Sequence, residues 1–354
     1  MTTHEYSNSS SNSFKAPFLR IDHAVINAHY ALDRLAKSVE NLGFALTGKS
    51  VHSLGSENRL AVFGHSYLEL IGLPRDAAKI REEILRSPVG LDGLVFGCGC
   101  GGEGKSKGKA GNKSENAAKT KEVKEIKEVK EAKEIKESWE AAGFLTTPVQ
   151  EFSRDVVVED EQLGGGKEEG GGEGEGNGNG KGKGKGEGDM EGEKTPKRTT
   201  QKASFATVRL LPGQISAGRI YACEQRTPEL VYQKAWQTHP NTAEEISGLT
   251  IVSDDPERLR AQFERLVRPA PTFKLEILGH EEWKARFEAL AAYGPDRPEF
   301  FGCLRIYVRS LDIAEAFILR SGAPFRKNQD AGSIIAALPD FRCLIEFSQK
   351  KKPI

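Results

Sequence analysis

The side chains able to do chemistry are few, with only seven histidines and five cysteines in 354 residues. His23 lies in Ile21-Asp22-His23-Ala24-Val25-Ile26, which reads as a strand with Ile21, His23 and Val25 on one face. Glu69 lies in Tyr67-Leu68-Glu69-Leu70-Ile71, where alternation groups Tyr67, Glu69 and Ile71 and turns Leu68 and Leu70 the other way. If the leucines pack under a helix, Glu69 points into a cavity. A buried carboxylate there needs a metal, an Arg or a His as partner, because an unpaired buried charge is costly. Imidazole and carboxylate together have the hardness suited to Fe(II), Zn, Ni or Mn. Free of metal, Glu69 could move a proton. The plainer alternative for His23 is a hydrogen-bonded core histidine.

Further candidates follow along the chain. In His52-Ser53-Leu54-Gly55-Ser56-Glu57-Asn58, Gly55 permits a tight turn, and Ser56 and Asn58 can present donors to a carboxylate or carbonyl. The same residues could simply close a self-bonded turn. Arg154 in Glu151-Phe152-Ser153-Arg154-Asp155-Val156 is a possible clamp for an anionic substrate, or a surface cation. Glu224 is a second candidate acid–base carboxylate, but Arg226 beside it could hold it in an ion pair. His239-Pro240-Asn241 reads as turn chemistry over a cavity mouth, with His239 a possible contact to substrate or ion. Cys98-Gly99-Cys100 lacks the second pair of ligands that a zinc site usually needs. There is no P-loop, no HExxH and no nucleophile elbow; the glycine-rich run has no helix after it and implies no nucleotide cofactor.

The elements that would position these residues emerge once the biased segments are set aside. The 51 basic and 51 acidic side chains cancel, which argues against a dedicated nucleic-acid binder. No run approaches the apolar length needed to span a bilayer, about 18 residues. The N-terminus shows no secretory pattern, and the few, scattered cysteines suggest a cytoplasmic protein. Mean hydropathy is −0.50, and the polarity is local. Residues 1–16 read as a disordered leader, 99–137 as a charged insert that is helical in its second half, and 159–200 as a disordered Gly/Glu/Lys insert. Between Gly164 and Gly192 there are 15 glycines.

What remains repeats. Strand 18–28, helix 31–42 and strands 44–53, 59–63 and 67–72 make a βαβββ unit, and strand 301–309, helix 311–320 and three short strands repeat it. A third copy starts near residue 249, and a fourth is broken by both inserts. The expectation is an α+β protein of four βαβββ units paired into two half-open mixed-sheet barrels. Residues 17–241 form the first pair and 242–350 the second.

On IDHAVI (21–26), VHSLGSENRLAVFGHSYLELIGLP (51–74), PVQEFSRDV (148–156) and CEQRTPELVYQKAWQTHPN (223–241), the chain resembles glyoxalase-like domain proteins of the vicinal oxygen chelate superfamily. The resemblance implies that fold, a small-molecule substrate and a metal held by a His or Gln on the first strand of a unit and a Glu on its last. His23, Glu69 and Glu224 are the implied ligands; His52, Ser56, Asn58, Arg154 and His239 are the implied substrate contacts. The chain departs from the pattern where Gly93, Gly248 and Gly302 stand at the first-strand position. Gly93 would leave an open coordination position. The second half, with Glu276 and Glu346 but only His280 as imidazole, would hold no ion. The reaction implied is a metal-assisted lyase, isomerase or dioxygenase step on an oxygenated molecule, or else metal-free sequestration. Oligomeric state is not legible.

Overall fold

The structure is a computed structural model and describes residues 15–76, 81–98, 131–159 and 198–350. The leader up to residue 14, and most of both inserts, lie outside the described residues.

The first unit runs β1 (Phe18–Asn27), α1 (Leu32–Asn41), β2 (Ser50–Val51), β3 (Glu57–Val62) and β4 (Tyr67–Gly72). A short α2 (Glu82–Arg86) leads to the second unit: β5 (Gly90–Gly97), α3 (Ala132–Ala141), β6 (Gln150–Glu159), β7 (Arg198–Arg209) and β8 (Arg219–Gln225). In each unit the last strand lies parallel to the first, and β1 meets β5 antiparallel, giving the order β2-β3-β4-β1-β5-β8-β7-β6. The ends of this sheet curl together. His52 and Arg154 form a bridge, and Ser53 N–H donates to the Ser153 carbonyl at 3.0 Å. The sheet is therefore almost a closed barrel, with one face outward under helices and one face lining its interior.

The helices form because their apolar positions fall on one stripe. Leu32, Leu35, Ala36 and Val39 of α1 are buried, as are Ala132, Ile135 and Trp139 of α3. The charged insert therefore stops earlier than residue 137, because 132–137 belong to a packed helix. The second insert is also narrower than expected. Strands β6 and β7 pair from Gln150↔Thr207 out to Glu159↔Arg198.

The second sheet contains β9 (Ala243–Ser253), followed by α4 (Pro256–Leu266), β10 (Arg268–Pro269), β11 (Lys274–Leu278) and α5 (His280–Phe287). Then come β12 (Glu299–Val308), α6 (Leu311–Ser321), β13 (Phe325–Asn328), β14 (Ser333–Leu338) and β15 (Cys343–Gln349). Its order is β11-β9-β12-β15-β14-β13. The fourth unit in chain order is a complete βαβββ. The third is abbreviated: β11 lies parallel beside β9, α5 and a turn of 3-10 helix at Glu288–Tyr293 follow, and β10 pairs with β1 of the first sheet. One apolar core runs between the two sheets and their helices, from Leu19 and Trp139 to Phe263 and Phe347. The Trp139 indole N–H donates to the Leu266 carbonyl at 3.0 Å, tying α3 to the end of α4.

Candidate functional site

Inside the first barrel, inward side chains of β1, β3, β4, β6, β7, β5 and β8 form a second apolar cluster that includes Val25, Leu60, Val95 and Phe205. Polar groups converge at one end of it. His23, Glu69, His52, Asn58, Tyr67, Arg154 and Tyr221 line one cavity, with about 40 Å³ open to water-sized occupants. A single water needs about 10–15 Å³ on that measure, so the space suits a few waters or one small polar group.

His23 reaches this cavity by a β-bulge. Ile21 pairs with Phe96 and His23 with Val95, so Asp22 is an extra residue on β1. The bulge sets Asp22 beside its own neighbour: His23 Nδ1 lies 2.6 Å from Asp22 Oδ2. Asp22 is also gripped by Gln225 Nε2 at 2.9 Å and by the Tyr232 hydroxyl at 2.8 Å. A carboxylate on Nδ1 fixes the proton there and leaves the Nε2 lone pair facing the cavity. The ring stacks on Tyr67 at 4.3 Å between centroids. Nε2 lies 3.5 Å from the Tyr221 hydroxyl and 3.6 Å from Glu69 Oε2.

Glu69 is buried, as its flanking leucines require. Its Oε1 accepts from Asn58 Nδ2 at 2.7 Å and lies 3.7 Å from His52 Nε2. Burial opposes ionisation of Glu69, but His23, His52, the Asn58 amide and Arg154 outweigh it and hold the carboxyl below its usual range. Asn58 also donates to His52 Nε2 at 3.2 Å, so the His52 proton sits on Nδ1, 2.7 Å from Ser56 Oγ. Burial, with Arg154 and Arg81 nearby, brings the His52 pKa down to about 4, against the pull of Glu69. His52 is thus a neutral imidazole held by hydrogen bonds at both nitrogens. Ser56 supports it from behind and is itself held by Arg81 Nη1 at 2.9 Å.

Four arginines ring the cavity. Three have carboxylate partners: Arg81 and Arg209 share Glu83, and Arg219 bonds Asp92 at 2.5 Å. Arg154 differs. It is 4% exposed, and among the described residues its Nη1 reaches Ser50 Oγ at 3.4 Å while its Nη2 has no hydrogen-bond partner. Asn58 Oδ1 is likewise buried without a partner.

Two expected site residues lie elsewhere. On β8, Tyr221, Cys223 and Gln225 face the interior, so Glu224 turns outward, to the helix side. Its Oε2 accepts from the Ala132 N–H at 3.1 Å, at the first turn of α3, and Oε1 from Arg226 at 3.3 Å. It is neither ligand nor acid–base group for the cavity. His239 is consumed structurally: Nδ1 accepts from Ala45 N–H at 3.1 Å, and Nε2 donates to the Val62 carbonyl at 2.9 Å. Gly93 also serves packing rather than openness, because a Cβ there would come within 2.6 Å of Val25 Cγ2.

The register identifies what alternation missed. Val25 pairs with Glu69 and Val95 with Tyr221, so Tyr221 holds the place in the second unit that Glu69 holds in the first. Burial pushes its hydroxyl pKa up, keeping it a protonated donor. His23, Glu69 and Tyr221 thus converge, with Gly93 at the fourth place. Only His23 and Glu69 are good donors to a divalent ion. Among the described residues, no group of three or more His, Cys, Asp or Glu side chains is arranged to hold one. The site supplies two of the three protein ligands usual at a catalytic metal.

The second sheet repeats the plan in closed form. Arg305 pairs with Glu346 as Val25 pairs with Glu69, which puts Cys303, one residue beyond the expected Gly302, at the His23 position. Glu346 accepts from Arg305 Nε and Ser333 Oγ, both at 2.8 Å, and Glu276 is bonded by Arg286. His280 lies at the start of α5, against Asp254 and the Pro298 carbonyl.

Paired βαβββ units with cavity-facing first and last strands define a protein of the vicinal oxygen chelate fold. Residues 21–164 match the family model described as glyoxalase-like domain. No curated protein matches the chain by sequence. Solved structures resembling it include a hypothetical protein from Staphylococcus aureus, at 9% identity and TM-score 0.46, covering 94% of this chain and 100% of that one. A mutant of 4-hydroxymandelate synthase from Streptomyces coelicolor matches at 11% identity and TM-score 0.47, over 95% of both chains. The 2,3-dioxygenase LapB from Pseudomonas sp. KL28 matches at 11% identity and TM-score 0.44, over 96% of this chain and 95% of that one. Among the described residues no helix is long and apolar enough to cross a membrane.

Proposed function

We propose that the first barrel binds a small oxygenated anion and moves a proton on it through His23. The observation that carries this reading is the buried Arg154 guanidinium, whose Nη2 has no partner beside the cavity that His23 Nε2 faces. A buried guanidinium nitrogen without a hydrogen bond is costly, and an incoming carboxylate removes that cost with a charge-assisted bond. With the anion on Arg154, Nε2 of His23 is a base oriented by Asp22. Protonated Tyr221 is a donor for an oxygen on which charge develops. The test is calorimetric titration with pyruvate, lactate and malate, with wild-type protein and Arg154→Gln. Binding of at least one acid by wild type, weakened tenfold or more in the variant, is expected. No binding to wild type, or equal binding to both proteins, overturns the reading.

A second reading keeps a divalent ion, favoured by the 3.6 Å separation of His23 Nε2 and Glu69 Oε2, which suits two ligands of one ion. His23 and Glu69 would hold Fe, Zn, Ni or Mn, and the bound ion would supply Lewis-acid activation of a substrate oxygen. Elemental analysis after reconstitution decides it. Near-stoichiometric metal, lost in His23→Ala protein that still folds, supports this reading, and metal near zero removes it.

A further inference from the structure

The inner cavity admits only a small polar group, so the rest of any larger ligand anchored there must lie outside it. One opening is suitably placed. Arg154 also lines a groove of about 1010 Å³, bounded by the β2 edge, the outer part of β6 and the 3-10 turn Lys234–Trp236. Val51 and Val157 are 57% and 54% exposed, and the half-buried Trp236 lines the same groove. The exposed valines and Trp236 give the groove an apolar part, and the buried Arg154 guanidinium, with Lys49, Asp155 and Lys234 also in the lining, gives it a charged part. Ligand sites of this size ordinarily combine an apolar lining with a few placed polar groups.

We propose that the ligand is an amphipathic carboxylate: its carboxylate docks on Arg154 at the cavity neck, and its hydrocarbon chain or ring lies in the groove against Val51, Val157 and Trp236. This rests on the anion-binding reading above and adds the substrate class to it. Each methylene buried in the groove should tighten binding up to about threefold to fourfold. An apolar compound of the same length without the charge should bind far more weakly.

Calorimetric titration with sodium butyrate, sodium octanoate and 1-octanol tests this on the full chain. Octanoate is expected to bind at least tenfold more tightly than butyrate, and 1-octanol at least tenfold more weakly than octanoate. Val157→Glu, at an exposed position that leaves the core intact, should cut octanoate affinity at least tenfold and leave butyrate unchanged. Equal affinities for the two acids, or an unaltered octanoate affinity in Val157→Glu, overturn the groove assignment while the anion site stands. Octanol binding as tightly as octanoate overturns the anchoring on Arg154. Failure of both acids to bind removes this inference together with the reading beneath it.

Discussion

Replacing Arg305 by Met should strip the second barrel of the cation that keeps it closed. The substitution preserves most of the apolar stem and removes the guanidinium. Glu346, with a side chain 3% exposed, would keep Ser333 Oγ at 2.8 Å but would have its remaining cation, Arg286, only at 3.6 Å. Glu276 would keep Arg286 and Lys274 and lose its 3.6 Å contact with Arg305. Removing one partner of a buried ion pair costs about 3–5 kcal/mol, because the other charge is left uncompensated. Arg286 remains nearby and Arg305 is 15% exposed, so the lower end applies, about 3 kcal/mol. Arg305→Met/Glu346→Gln removes both charges and should recover most of that loss. Urea unfolding followed by far-ultraviolet circular dichroism gives both values, and an unchanged m-value keeps the comparison valid. A single-variant loss below about 1 kcal/mol, or a double variant no better than the single, would refute the view that these arginines neutralise the second site.

Three further outcomes follow from the first barrel. The His52 pKa lies near 4 in the folded state, below its ordinary 6.5. The unfolded chain therefore binds the extra proton first, so the contribution of His52 is fully present above 6.5 and is lost as pH falls toward 4; His52→Gln should flatten a thermal-melt profile over that window. Glu224→Gln should cost under about 1 kcal/mol by weakening one charge at the start of α3, and should leave anion binding unchanged in calorimetry. Nitrogen-15 NMR should find His23 protonated on Nδ1 in wild type and a mixture of tautomers in Asp22→Asn; protonation on Nε2 in wild type would contradict the base role.

The legible parts of the site were those where local pattern and tertiary demand agree. Glu69 was readable because two leucines flank it in a period-2 strand, and only one face of that strand could be core. The fold was readable because the strand and helix periods repeat after comparable spacings. Register was not readable, because it is set across strands rather than along them. Glu224 looked like the partner of Glu69 by type alone, whereas pairing with β5 puts Tyr221 there. The bulge that makes Asp22 the support of His23 leaves no mark in alternation, which assigns neighbours to opposite faces. A similar shift between Phe301 and Cys303 explains why Gly302 was matched to His23 one residue early. The insert boundaries slipped because Lys and Glu fill the exposed face of α3 as densely as they fill the segment before it, while Ala132 and Ile135 carry its packing.

The two sheets together explain why one site is open and the other is not. At corresponding places the first has His23, Glu69 and Tyr221, and the second has Cys303, Glu346 and Glu276. The decisive difference lies one pair along: Val25 in the first, Arg305 in the second. With an arginine on the neighbouring strand, Glu346 carries its own counterion, and the cavity is satisfied from within. With a valine there, Glu69 depends on His23, His52 and Asn58, none of them a permanent cation. Arg154, a permanent charge, acts on Glu69 without a hydrogen bond between them among the described residues, and keeps one nitrogen unbonded. The glycines fit the same logic. A Cβ at Gly248 would press on the Lys274 carbonyl at 2.7 Å, and one at Gly93 on Val25, so both are fixed by packing whatever the cavity does. Replacing Val25 by Arg in the first barrel would by this argument copy the closed state, pairing with Glu69 and repelling any ion near His23. The same packing against Gly93 makes that swap sterically costly, which is why an arginine there would need the rest of the second sheet's arrangement to come with it.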